Sequence, residues 1–123
     1  MSKKIKIKWL ETTEDHDYPA AESYLSLIYE PGTVAVFVRQ LRQAPVSCFK
    51  AKDIFRASEQ SLLGISNSEV ERDRGKIELG EPLSPLLLVR DTVNGKVVIA
   101  DGYHRLCAVY AMNEDALIPC KIV

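Results

Sequence analysis

Sulfur and imidazole are scarce in this chain. Its three cysteines (Cys48, Cys107, Cys120) and two histidines (His16, His104) are spread over 123 residues. None share the paired spacing that zinc sites use, so no metal site is expected from spacing. An odd cysteine count without short spacings fits a reduced, intracellular chain rather than a disulfide framework. No apolar run approaches the roughly 18 residues that would suggest a membrane span. Lysines alternate with Ile5 and Ile7 where a signal peptide would carry its apolar core. A cytoplasmic protein is expected. An excess of one charge is also missing: 16 Lys plus Arg against 17 Asp plus Glu give a net charge of −1. That balance argues against a general nucleic-acid binder, which carries a basic excess. The sequence has no Ser-centred nucleophile elbow, no Gly-x-x-x-x-Gly-Lys-Ser/Thr loop, no internal repeat and no linker.

The 46% hydrophobic and 27% charged residues are ordinary for a globular protein. The length predicts a single domain over residues 1–123 with a core of its own. Lys4 to Trp9 alternates like a half-buried strand. The lysines there and the acidic run Glu11, Glu14, Asp15 and Asp17 read as a solvated strand face followed by a solvated loop. Asp17 is placed to cap a helix running to about Tyr29, which Pro31-Gly32 should break. Thr33 is placed to cap a second helix through Leu41, although its valines leave a strand open as the alternative. A short helix is expected over residues 51–57. Another should open at Ser66 or Ser68, reach about Leu79 and stop at Gly80. Pro85 to Arg90 reads as a buried strand, and Asn94-Gly95 turns it back into a second strand over Val97–Ala100. A helix follows from about Tyr103 to Met112, with Asn113 as its left-handed stop. A last strand runs from Leu117 to Val123, where Pro119 suggests an edge or the beginning of the strand.

The most informative stretch is Asp101-Gly102-Tyr103-His104-Arg105. A strand delivers the backbone to a glycine, and a helix begins there with His and Arg in its first turn. The first N–H groups of a helix lack internal partners and the dipole is positive at that end, so the junction is suited to an anion, usually phosphate. An arginine can hold two phosphate oxygens at once with a charge that does not titrate away. Gly102, His104 and Arg105 are the binding candidates. Tyr103 is expected to lie partly in the core, with lining the site as its alternative. Asp101 is expected to cap the helix.

The order apolar strand, turn, apolar strand, Asp-Gly-Tyr-His-Arg, helix and Ile118-Pro119 resembles the ParB/sulfiredoxin superfamily over residues 77–123. The resemblance implies an α+β fold, a small mixed sheet with several helices packed around it. It also implies that the Gly102-Tyr103-His104-Arg105 loop binds nucleotide phosphates, with ATP, ADP or CTP and Mg²⁺ as the expected ligands. Partition proteins of this superfamily bind CTP there, sulfiredoxins bind ATP, and free-serine kinases use a nucleotide as phosphoryl donor. Ser84 corresponds to the preceding loop that approaches the nucleotide in relatives. The departures are equally specific. Sulfiredoxins carry a catalytic cysteine before the His-Arg pair, where this chain has Tyr103, and a phenol of ordinary pKa about 10 cannot replace a thiolate. Partition proteins continue into a helix-turn-helix, and the sequence shows none, so sequence-specific DNA binding is not expected.

The resulting expectation is a domain that binds a nucleotide or another phosphorylated small molecule, with phosphoryl transfer or phosphoanhydride hydrolysis as the enzymatic form. A non-catalytic protein-interaction module and a nuclease are the alternatives, and a homo-oligomer or protein partner stays open. Glu69, Glu71 and Asp73 are the nearest supply of a base or Mg²⁺ carboxylate, but among Arg72 and Arg74 they read as an exposed helix face. Lys52, Asp53 and Arg56 form a further charged cluster, with ordinary surface charge as its simplest reading. Arg105→Ala is expected to abolish ligand binding while leaving thermal unfolding nearly unchanged.

Overall fold

The computed structural model describes residues 6–64 and 67–123. Lys3, Lys4, Ile5 and the candidate cap Ser66 lie outside them. The elements run α1 (Asp17–Leu25), α2 (Pro31–Gln43), β1 (Ser47–Lys50), α3 (Ala51–Ser58), α4 (Ser68–Glu78), β2 (Leu86–Asp91), β3 (Lys96–Asp101), α5 (Tyr103–Met112) and β4 (Leu117–Ile122). The fold is α+β, with a mixed sheet in the order β1-β4-β2-β3. β2 and β3 form an antiparallel hairpin, β4 runs parallel to β2, and β1 closes the other edge antiparallel to β4. No helix among the described residues is long and apolar enough to cross a membrane.

Strand β2 explains the sheet's position. Leu86, Leu87, Leu88 and Val89 are all buried, because successive side chains leave a strand on opposite faces and both faces are covered. Leu86 and Leu88 join Ile54, Val70, Ile77, Leu106 and Ile118 in a core formed with α3, α4 and α5. Leu87 and Val89 join Ala21, Leu25, Val34 and Leu41 in a second core formed with α1 and α2. The hairpin turns at Asn94-Gly95, with Gly95 at φ 65° and the Asn94 side-chain amide donating to Asp91 Oδ2 at 2.8 Å.

Several local expectations are corrected. Residues 6–8 form no strand, and Trp9 makes a single parallel bridge to Leu83. Asp17 is the first residue of α1 rather than its cap, and His16 occupies the cap position. α1 ends at Leu25, well before Tyr29. Pro31 starts α2 instead of merely breaking α1: its missing N–H costs nothing in a first helical turn, and Glu30, not Thr33, precedes the helix. The strand β1 was not anticipated. The α4 cap is Asn67, whose side-chain oxygen accepts from the N–H groups of Glu69 at 3.0 Å and Val70 at 3.2 Å. Asn113 is extended at φ −163°, not left-handed. Pro119 sits on β4, an inner strand, just before the residue at which pairing with β2 begins, Cys120.

Candidate functional site

The β3–α5 junction forms as the spacing requires, but its cap differs from expectation. Gly102 itself takes the N-cap position at φ 108°, and no side chain caps the helix. That backbone region suits glycine. A Cβ on Gly102 would also sit 2.6 Å from Leu86 Cγ and 3.0 Å from Arg105 Nη2. Asp101 points elsewhere: its Oδ2 accepts from Arg105 Nη2 at 3.1 Å, one helical turn along.

Arg105 is the hub of a buried polar network. Nη2 also reaches Asp17 Oδ2, on α1, at 3.3 Å. Asp17 is almost wholly buried and takes a 2.6 Å hydrogen bond from the Ser84 hydroxyl, which in turn accepts from the Glu14 N–H at 3.0 Å. Neither ion pair uses Nη1. Nε is buried with no hydrogen-bond partner among the described residues. Burial pushes the Asp101 carboxyl above its ordinary range; the Arg105 charge opposes that rise and the Asp17 charge adds to it. The guanidinium is therefore largely neutralised by two carboxylates, and its positive field reaches a ligand weakened. This corrects the expectation that Arg105→Ala would leave unfolding unchanged, since the substitution strands both acids.

Around this network lies a cleft of about 260 Å³. Its walls are the Glu14–Asp17 segment, the Pro82–Ser84 loop, the β3–α5 junction and one face of α4. Four of the five binding candidates, Gly102, His104, Arg105 and Ser84, line it together. Tyr103 does not. It faces a separate depression beside Tyr24 and Gln60, and its hydroxyl donates to the Ser61 carbonyl.

The acids of residues 11–17 are not simply a solvated loop, because Glu14 and Asp17 enter the cleft wall. The α4 charges are likewise not simply an exposed face. Glu69, Arg72, Asp73 and Lys76 all line the cleft. Their spacing of i, i+3, i+4 and i+7 is that of one helix face, and this was the signal available in the sequence. Asp73 goes further inward. It falls in register with Val70 and Ile77, each 1% exposed, and is itself only 7% exposed. Its carboxylate makes no hydrogen bond or ion pair with any described residue. Burial pushes its proton affinity up, against the opposing charges of Arg105, Lys76 and Arg72.

Other candidates fall outside. Lys52 pairs with Asp115 at 2.7 Å, and neither Lys52 nor Arg56 reaches the cleft. Cys107 and Cys120 are buried. Burial raises both thiols, Cys120 to about 12, so neither is a poised thiolate. Glu14, His16 and Asp17 bring their possible ligand atoms within 4.8 Å of one another, a grouping that pair-spacing rules do not detect. His16 Nε2 lies 2.9 Å from Glu14 and 3.3 Å from Asp17.

No family model, no curated protein and no solved structure matches this chain.

Proposed function

We propose that the cleft binds the phosphate groups of a nucleotide or another phosphorylated small molecule, and that the domain is of the ParB/sulfiredoxin type. The reading rests above all on one convergence. Gly102, His104, Arg105 and Ser84, singled out from the sequence, share a cleft with Lys76 and Arg72. The first amide hydrogens of α5 point from an uncapped helix end, where the dipole favours an anion. Because Asp17 and Asp101 absorb much of the Arg105 charge, the phosphate grip falls on those amides, His104 and Lys76. Arg105 holds the walls in register and offers the edge that its ion pairs leave unused. Glu14 and Asp17 are oxygen donors of the type Mg²⁺ takes, and in a metal-bound state they would exchange their contacts with His16 for the ion that accompanies a nucleotide. Where the bound ligand is turned over, phosphoanhydride hydrolysis or phosphoryl transfer is the matching chemistry.

A thermal-shift panel of ATP, ADP, CTP and inorganic phosphate, each with and without Mg²⁺, tests the reading. A ligand that binds only the folded chain raises its apparent melting temperature. At least one of these anions should do so, and Lys76→Glu should abolish the shift while leaving the unliganded melting temperature close to wild type. A panel that leaves wild type unmoved throughout overturns the proposal.

A further inference from the structure

The cleft contains five carboxylates, and four of them are already occupied. Asp17 and Asp101 hold Arg105. Glu69 pairs with Arg72, and Glu14 lies 2.9 Å from His16. Asp73 alone among them has no partner in the described residues; the residue is mostly buried, and what exposure it keeps opens its carboxylate oxygens onto the cleft rather than sealing them. A carboxylate that lines the cleft and is engaged by no described protein group is an acceptor left free for a water or a ligand in that cavity. The cations around it are Arg105 on α5 and Lys76 and Arg72 on its own helix, with the His104 imidazole of α5 beside them. His104 and Lys76 among them are the side chains assigned above to the phosphate oxygens.

We propose that Asp73 is the general base for hydrolysis of a nucleoside triphosphate in this cleft, a step that rests on the phosphate-binding reading above. Water attacks the terminal phosphorus. As the new P–O bond forms, the Asp73 carboxylate takes one proton from that water. The bridging P–O bond breaks and its electron pair leaves on the diphosphate oxygen, facing the amides and cations of the cleft. Asp73 then returns the proton to solvent. No oxidant or further co-reactant is needed. A base works best when its proton affinity approaches that of the medium, and burial moves the Asp73 carboxyl in that direction.

The test uses the full chain with Mg²⁺ and either ATP or CTP, following phosphate release and, separately, nucleotide affinity by calorimetry. Asp73→Asn should lower the rate on the order of 10²–10⁴-fold, the range of a lost general base, while affinity changes by no more than a few fold. The wild-type rate should rise with pH along one acid limb that the variant lacks, and Asp73→Glu should restore part of the rate with a displaced limb. A merely structural carboxyl would not move that profile. Hydrolysis by Asp73→Asn at the wild-type rate overturns the assignment. Wild-type protein that binds nucleotide without releasing phosphate also overturns it and leaves the binding reading standing. Wild-type protein that binds no nucleotide removes both.

Discussion

At the scale of single residues, two side chains in the cleft have opposite relations to stability. Arg105 is only 16% exposed and compensates two acids at once. Removing one member of a buried ion pair leaves the other charge uncompensated, which costs more than the pair contributes. Arg105→Ala should therefore destabilise the fold by about 3 kcal/mol, read from urea unfolding at neutral pH. Asp73 should behave the other way. Its folded-state proton affinity lies above the ordinary carboxylate value of 3.8, so the folded chain binds that proton more tightly than the unfolded chain does. The stabilisation is complete below about 3.8 and is lost as pH rises through the raised folded value. Above that raised value wild type has lost it, and there Asp73→Asn should unfold at higher urea than wild type. That advantage should shrink on acidification and vanish once both states hold the proton. A pH series of urea midpoints for the two proteins checks the sign.

At the scale of elements, α3, α5 and the β2–β3 hairpin were legible in the sequence, and each for a local reason. Asn94-Gly95 fixes the turn, Gly102 fixes the junction, and Leu106 and Cys107 lie on the buried side of α5. Strand β1 was not legible. It is an edge of four residues, Ser47–Lys50, mostly exposed, and only pairing with β4 makes it a strand. The α1–α2 boundary misled because a Pro-Gly pair signals both an end and a beginning, and only the second was realised at Pro31. α4 was found, but its face was misread: three cationic neighbours hid the apolar register of Val70, Asp73 and Ile77. Its true cap offers a direct check. Asn67→Ala removes two side-chain hydrogen bonds to the first turn and should lower stability by about 1 kcal/mol, whereas Asn67→Asp should be close to neutral. Urea midpoints of the two variants separate these outcomes.

At the scale of the whole molecule, the candidate site is a product of topology. The junction residues were legible because they are neighbours in sequence. The acids that hold Arg105 were not, because Asp17 reaches it across 88 positions of chain. The two cores on either face of the sheet also account for the cysteines. Cys107 and Cys120 are sealed in one core, while Cys48 lies on exposed β1. A thiol-reactive probe should label one cysteine of the native protein, Cys48, and all three after denaturation. Mass spectrometry of peptides labelled under each condition reads this directly, and rapid native labelling of Cys120 would contradict the packing.

The chain of contacts from Glu14 through Ser84 and Asp17 to Arg105 acts as a clasp between the beginning and the end of the polypeptide. Such a clasp leaves evolution little room to retune the guanidinium for a new guest without loosening the closure itself. Specificity is then freest to drift on α4, where Lys76 and Arg72 face the same hollow and neither fastens one half of the polypeptide to the other.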